Sequence, residues 1–563
     1  MASADKAQAY RSVALVTESS WEVCNKIGGI YTVLSTKAVE LKKLFGDRLV
    51  FIGPDFGQGE DKSRSSVFRE VKTALKNFGR KKLPHGITVR CGRWDIPGSP
   101  LVMLVDFKPV FPLLNEIYGT MWNAFGVDSL HAYGDYDESC AFSVASAIAA
   151  MELGKHLGAS PEQQLAHYNE WTTGMGLLYM KLHQPQTATL FTTHATTIGR
   201  SICGNGKPLY EYFHNYNGDQ MAAELNVESK HSLEKAAAWN ADCFTTVSDV
   251  TARECEQLLG RRPDVVTPNG FEPSFVPGTE EWKSLRKEGR KKILKIASIL
   301  AGKKLPPSTF VIATSGRNEF RNKGLDLFLD SMKRLGSKLN GKDKQLLALV
   351  LVPAWVKQPS GDLLVDLEYG GNIKPDPDYL THRLNNEDSD AVASTIRRIE
   401  AEMETIGTSG KVKIVFVPSY LDGADGIVNI GYYDFLPAVD LTVFGSYYEP
   451  WGYTPLESIA FGIPTLTTDK AGFGEWAREE GRDSLLGNGV AVICRDDSNY
   501  NDCAEKISDM ALTYSRQKPA TVAQAQEGAR ETAKKAEWKF FISKYEEAFD
   551  IAILNNKKKT QSQ

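Results

Sequence analysis

Twelve short apolar or β-branched runs, in two sets of six with amphipathic stretches between them, limit the folds open to this chain more than any other feature. The first set is Val13–Val16, Leu49–Ile52, Leu101–Val105, Thr189–Thr193, Phe244–Val247 and Val265–Thr267. The second is Phe310–Thr314, Leu347–Val352, Val412–Val417, Leu441–Phe444, Pro464–Thr467 and Val490–Cys494. Runs this short and this apolar suit strands of parallel sheets covered by helices on both faces. The fold class read from them is α/β, with two doubly wound domains. Thr267–Pro268–Asn269–Gly270, followed by Phe271–Glu272–Pro273, is dense in turn residues and marks the boundary, giving domains 1–270 and 271–535. Two segments interrupt the alternation and read as insertions. Thr279–Lys304 is basic and helical in pattern, and Gln358–Asn386, rich in Gly, Pro, Asn and Asp, reads as a long irregular excursion.

The 563 residues are ample for two such domains, and 24% charged with 42% hydrophobic residues is ordinary globular composition. Lys plus Arg number 66 and Asp plus Glu 70, a net of −4, which leaves no nucleic-acid or membrane footprint. The longest apolar run, Leu346 to Val356, is eleven residues with Pro353 inside, too short to span a membrane. The N-terminus MASADKAQAYR lacks an apolar signal region, so the expected location is cytoplasmic. Eight scattered cysteines form no CxxC and no Cys/His spacing for a metal; reduced, buried thiols and no metal are expected.

Four stretches carry chemistry. Asn25–Lys26–Ile27–Gly28–Gly29 follows the first strand and precedes a helix beginning near Tyr31, so its glycines and helix N-terminus suit a phosphate, with Lys26 as a nearby charge. A plain Gly-Gly turn with an exposed lysine fits the same letters. Thr192–Thr193–His194–Ala195–Thr196–Thr197–Ile198–Gly199–Arg200 ends a strand, where open α/β sheets bind ligands. His194 there is either a satisfied core histidine or, with Arg200 six residues on, part of a polar site. Gly316–Arg317–Asn318–Glu319–Phe320–Arg321–Asn322–Lys323–Gly324 follows the strand Phe310–Thr314 and places Arg317 and Lys323 at its carboxyl edge, suited to a diphosphate leaving group. Finally, Ser446 to Glu457 reads SYYEPWGYTPLE. Thr454–Pro455–Leu456–Glu457 has the pattern of a capping box, so a helix starting at Thr454 offers the backbone N–H groups of Gly452 to Thr454 to phosphate. Glu457 is then the capping carboxylate or an acceptor for ribose hydroxyls. Glu449, among Tyr447, Tyr448 and Trp451, suits sugar hydroxyls.

With these residues in view the chain resembles the glycogen synthases of the animal and fungal type, which are retaining glycosyltransferases. The resembling segments are WEVCNKIGGIYTVLSTKA from Trp21, TTHATTIGRSIC from Thr192, FTTVSDVTA from Phe244, DVVTPNGFE from Asp264, NEFRNKG from Asn318 and SYYEPWGYTPLESIAFGIPTLTTDKAGFG from Ser446. Together they span about Val13 to Tyr545, and the EPWGYTP run with Glu449 and Glu457, plus THATxxGR, is the specific part. The resemblance implies the GT-B architecture, two Rossmann-like domains with an interdomain cleft, and a C-terminal helix within 536–563 that crosses back to the first domain and frays into a tail from Asn555. It implies transfer of α-glucose, with retention, from a nucleotide-sugar donor (UDP-glucose or ADP-glucose) to the non-reducing end of an α-1,4-glucan acceptor, without cofactor or metal. Carried over by position, the catalytic group is Glu449, Lys323, Arg317, His194 and Arg200. The substrate-binding group is Lys26, Gly28, Gly29, Asn169, Asn269, Tyr432, Trp451, Gly452, Tyr453, Thr454 and Glu457, with Tyr432 stacking on the base.

The departures from that family are also informative. Asn169 stands where animal members carry a second histidine. The region Tyr514–Lys539, where those members have an Arg-rich helix that senses glucose 6-phosphate and phosphorylation, holds only Arg516 and Arg530 with scattered lysines. Asp440 replaces a basic effector-site residue, and Gln358–Asn386 is shorter than the helical insertion that makes tetramer contacts in a homo-oligomer. The economy is that of a short bacterial or protist form. Two other readings remain open at this level. Glu449 and Glu457 superficially match the paired carboxylates of a retaining glycosidase or a glucan phosphorylase-like enzyme, and a non-catalytic glucan-binding protein could keep the same fold.

Overall fold

A computed structural model describes residues 8–57, 67–369, 378–405 and 410–561. The chain divides into two compact units, Met1–Glu272 with Glu537–Gln563, and Pro273–Ala536.

In the first unit the strands are β1 (Leu15–Ser19), β2 (Leu49–Pro54), β3 (Phe68–Glu70), β4 (Thr88–Trp94), β5 (Leu101–Asp106), β6 (Gln164–Asn169), β7 (Ala188–Thr193), β8 (Cys243–Thr246) and β9 (Val265–Val266). They form one sheet in the order β3-β4-β5-β2-β1-β6-β7-β8-β9. All six runs expected here are strands, shifted by a residue or two. The expectation of a wholly parallel sheet is corrected at one edge, where β3, β4 and β5 pair antiparallel. β4 was missed because Arg90 and Arg93 break its apolar run; Arg90 lies on the face opposite buried Val89 and Cys91. β6 was missed for another reason. Its sequence QLAHYN is half polar, yet every residue is buried. Gln164, His167 and Asn169 are all held by hydrogen bonds, for example Gln164 Nε2 to Ala159 O at 2.9 Å and the His167 Nε2–Thr192 Oγ1 bond at 2.7 Å.

Helix Trp538–Gln561 packs on this unit. Trp538 Nε1 donates to Thr36 Oγ1 at 2.7 Å, and the Phe549 ring meets Phe45 edge-on. The stretch from Asn555, expected to fray, is instead helical to Gln561. Asn555 Nδ2 donates to Asp242 O at 2.9 Å, and buried Asn556 donates to Pro185 O at 2.8 Å.

The second unit holds β10 (Phe310–Ser315), β11 (Leu346–Leu351), β12 (Val356–Pro359), β13 (His382–Leu384), β14 (Val412–Val417), β15 (Leu441–Val443), β16 (Thr465–Thr468) and β17 (Val490–Ile493). Six of these make a parallel sheet, β14-β11-β10-β15-β16-β17. β11 and β14 are buried along their whole length, the mark of a sheet covered on both faces.

Both expected insertions are corrected. Thr279–Leu300 is one long helix whose Ile293, Ile296, Ala297 and Leu300 are buried and whose Arg286 and Arg290 both grip Asp440, so it belongs to the body of the unit. Gln358–Asn386 is not irregular where described. It contributes to the antiparallel pair β12–β13 and contains helix Gly361–Tyr369; residues 370–377 of that segment lie outside the described residues.

Each sheet reverses its order of connection once beside its first strand, at β1/β6 and at β10/β15. In open α/β sheets the crevice beyond the carboxyl ends of such strands is where ligands bind.

Candidate active site

In the second unit two loops leave the reversal point together. Gly324 has φ +67, and a Cβ there would lie 2.0 Å from Gly445 O, so only glycine lets the loop after β10 press against the loop after β15. Asn322 O accepts from Tyr447 N at 2.9 Å and Tyr448 N at 3.1 Å. Arg495, buried, donates to Gly445 O and lies 5.4 Å from the centre of the Tyr447 ring, whose hydroxyl bonds Asp497. This lacing brings Lys323 Nζ onto Glu449 Oε2 as an ion pair whose two side chains are largely shielded. Arg317, one residue past Gly316, is half exposed and pairs with Glu319 at 2.9 Å.

The helix after β15 runs Tyr453–Ala460 with Gly452 as its N-cap at φ +103. The expected capping box is absent. Glu457 is buried and accepts from Tyr433 Oη at 2.8 Å. The backbone N–H groups of Gly452 to Thr454 form the N-terminal turn of the helix, whose positive dipole end suits an anion. Trp451 is buried edge-on against Phe473 and its carbonyl accepts from Phe473 N at 2.7 Å, which fixes the turn. Tyr432, expected to stack on a base, shares a 2.9 Å hydrogen bond between its hydroxyl and Ser315 Oγ at the end of β10. The structure thus brings Arg317, Lys323, Tyr432, Glu449, Gly452, Tyr453 and Thr454 to one sheet edge.

The first unit is built differently. Helix Gly29–Phe45 starts at Gly28, as the Gly-Gly reading requires, but its N-terminus already has an anion. Glu22 Oε2 accepts from Gly28 N and Tyr31 N, each at 2.8 Å. That carboxylate stands where the sequence suggested a phosphate, and Lys26 is exposed, its Nζ 5.9 Å from the Tyr31 ring centre. Asn269 is buried at the end of β9 with its Oδ1 unpartnered.

Around the strand end at His194 the side chains are buried and mutually satisfied. Asn169, expected to touch substrate, is buried and uses its amide on protein groups, so that expectation is corrected too. Nδ2 lies 3.2 Å from Glu18 Oε1 and 3.3 Å from Ser19 O, and Oδ1 is 3.0 Å from His194 Nε2. Glu170 Oε1 accepts from His194 N at 2.8 Å and Ala195 N at 3.2 Å. Glu170 itself sits at φ 69°, ψ 165°, a region that favours glycine, which places local strain beside His194. Glu234 accepts from Thr193 Oγ1 and Thr197 N, and Glu254 from Thr196 Oγ1. Burial pushes Glu170 up to about 7 against the attraction of Arg200, and pushes Glu234 up to about 8, helped by the charge of Glu170. Burial pushes His194 down to about 3, with Lys37, His167 and Arg200 acting in the same direction. His194 is therefore a neutral imidazole, while Arg200 is exposed at the helix Thr197–Gly204.

Glu18, Glu22, Lys37, Glu170, Glu234, Glu254 and Arg495 were all absent from the sequence reading. For Glu22 a signal existed, a carboxylate six residues before the helix-starting glycine. For the others no local pattern marks a charge as buried. Among the described residues no group of three or more His, Cys, Asp or Glu is placed to hold a metal ion, and no helix is long and apolar enough to cross a membrane.

Residues 18–364 and 373–560 match the model of the glycogen synthase family. Glycogen [starch] synthase of Neurospora crassa is 29% identical over 96% of this chain and 83% of its own length. The liver glycogen [starch] synthase of Homo sapiens is 30% identical over 89% of this chain and 78% of its own length. Among solved structures, the catalytic domain of starch synthase IV from Arabidopsis thaliana, bound to ADP and acarbose, superposes with a TM-score of 0.55 at 15% identity, covering 96% of this chain and 99% of that one. The α,α-trehalose 6-phosphate synthase of Burkholderia multivorans gives 0.53 at 11% identity, covering 98% of each.

Proposed function

The chain belongs to the glycogen synthase family of glycosyltransferases, and from that premise we propose that it transfers α-glucose from UDP-glucose to the 4-hydroxyl at the non-reducing end of an α-1,4-glucan, with retention at C1. The observation that carries this reading is the Lys323–Glu449 pair beside the N-terminus of helix Tyr453–Ala460, with Arg317 on the same sheet edge. Leaving-group departure breaks the bond between C1 and the phosphate oxygen and puts a growing negative charge on the diphosphate. Arg317, Lys323 and the N–H groups of Gly452 to Thr454 are cationic or N–H donors suited to meet that charge. The acceptor O4 then bonds C1 on the same face, and its proton passes to the departing phosphate oxygen. Glu449, held by Lys323, is the acceptor for donor-sugar hydroxyls. His194 and Arg200 are the sugar-binding groups of the first unit, and Tyr432 serves the base. Glu457, bonded to Tyr433, is the acceptor for ribose hydroxyls.

A glycosidase dyad is the weaker reading, because Glu449 is paired with a lysine and Glu457 is buried against a tyrosine hydroxyl. The test is release of nucleoside diphosphate on mixing the purified chain and glycogen with UDP-glucose in one arm and ADP-glucose in the other. UDP release with glucan growth supports the reading. ADP release alone reassigns the donor, and hydrolysis of glycogen without any donor overturns the reading.

A further inference from the structure

The Glu18–Lys37 pair at the heart of the first unit is fully buried, its Nζ–Oε1 distance 2.7 Å, and it reaches His194 through a single amide. We propose that Asn169, oriented by Glu18, is a positioning residue that locks His194 as the Nε2–H tautomer, so that Nδ1 presents its lone pair to a hydroxyl of the donor sugar. The proposal rests on the glycosyl-transfer reading above.

Burial alone would raise the Glu18 carboxyl, but Lys37 and His167 hold it below its ordinary value, so it is a carboxylate and accepts only. The second group near Asn169 Nδ2, the Ser19 carbonyl at 3.3 Å, also accepts only. The amide nitrogen must face these two oxygens, and Oδ1 must then face His194 Nε2 at 3.0 Å. A carbonyl oxygen cannot donate, so Nε2 carries the ring proton. The backbone that carries the ring is fixed, because His194 N is tied to Glu170 Oε1 at 2.8 Å.

The charged and titratable groups around the imidazole are Glu18 from β1, Lys37 from helix Gly29–Phe45, His167 and Glu170 from and just after β6, and Arg200 from helix Thr197–Gly204; Tyr545 lies over Lys37. Lys37, His167 and Arg200 disfavour the doubly protonated ring. An amide has no proton to titrate, so with Asn169 the tautomer is independent of pH where a histidine at that position would not make it so.

The experiment is 15N NMR of the full chain labelled at histidine, with His194→Gln assigning the signal, beside steady-state kinetics on UDP-glucose and glycogen. The wild-type chain is expected to show one Nε2–H tautomer of His194, unchanged from pH 6 to 8. In Asn169→Leu the signal moves toward a tautomer mixture and kcat falls about tenfold or more with donor KM little changed, the scale of one lost orienting hydrogen bond. Should that variant fail to fold, Glu18→Gln with Lys37→Met keeps Asn169 and removes only the charge that orients it, and the same mixture is expected. A wild-type His194 that is Nδ1–H or mixed, or a folded Asn169→Leu with the wild-type tautomer and kcat, overturns the proposal. A single Nε2–H tautomer in a chain that releases no nucleoside diphosphate from any sugar donor leaves the lock standing and overturns the reading of the reaction.

Discussion

The two sheet edges solve opposite electrostatic problems. After β10 and β15 the charges lie toward the surface: Arg317 is half exposed, and Lys323 and Glu449 form a largely shielded ion pair beside the N-terminus of helix Tyr453–Ala460. After β6 and β7, the charges are sealed in. The helix end at Gly28 is capped by Glu22, and Glu170, Glu234 and Glu254 each accept from backbone or hydroxyl donors around His194. An edge with a half-exposed cation and a helix N-terminus can receive a polyanion. An edge whose polar groups already satisfy one another can only orient what touches it. The second unit is thus suited to charge stabilisation and the first to geometry, and each prediction below is a way to break that division.

The largest effect falls on Glu449. Glu449→Gln keeps the shape but loses the partner of Lys323, and turnover should fall by on the order of 10² or more with the folded state intact. Near-wild-type turnover in the purified variant would remove Glu449 from the chemistry.

Next come the cations of the same edge. Arg317→Ala and Lys323→Ala should each lower kcat by roughly tenfold or more while raising donor KM less, because the negative charge they meet grows as the glycosidic bond breaks. Should either variant change KM alone, that residue binds ground and transition states alike, and the charge-stabilising role of this edge shrinks accordingly.

The sealed edge should show itself in stability instead. Glu170 and Glu234 have folded values, about 7 and about 8, above their ordinary 4.5. Their contribution is therefore complete below about 4.5 and is lost as pH rises through 7 and 8. Burial pushes His167 and His194 down to about 3 from 6.5; their contribution is complete above 6.5 and is lost as pH falls toward 3. Between pH 6.5 and 8, short of the range where unfolded thiols ionise, these carboxyls dominate, so Tm should fall by roughly 4–8 °C, the scale of about 2 kcal/mol in a unit of this size. Glu234→Gln can accept from Thr197 N and donate to Thr193 Oγ1, and should flatten that slope. A Tm that rises over the same range would show that these carboxyls are ionised in the fold.

The smallest effect expected is none. A phosphate effector needs several convergent, uncommitted cations. In the second unit Arg286 and Arg290 both bind Asp440, Arg516 binds Asp343 at 2.7 Å and Arg530 binds Glu527 at 3.3 Å. Glucose 6-phosphate at constant ionic strength should change neither kcat nor donor KM. Saturable activation would mean that these pairs open to admit the effector, and that the second unit has another anion site besides the edge at Lys323.

The scaffold and the loops are legible from local residue patterns. All twelve apolar runs are strands, because a strand covered on both faces needs apolar residues in succession and leaves that record locally. The loops that matter were legible because glycine, proline and charge cluster where strands end, as at Lys26–Gly29, Arg317–Gly324 and Glu449–Thr454. Only the tertiary structure decided which polar groups are committed. β6 is a central strand in spite of Gln164, His167 and Asn169, because its partners lie far along the chain; Asn169 and Glu18 are 151 residues apart. Glu457 looks like a cap from its spacing to Thr454, yet it turns to Tyr433 Oη, 24 residues away. Lys323 and Glu449, 126 residues apart, meet because Gly324 lets two loops touch. Apolar burial has a period that the sequence carries. A buried polar group has only a partner, and the partner is chosen by the fold.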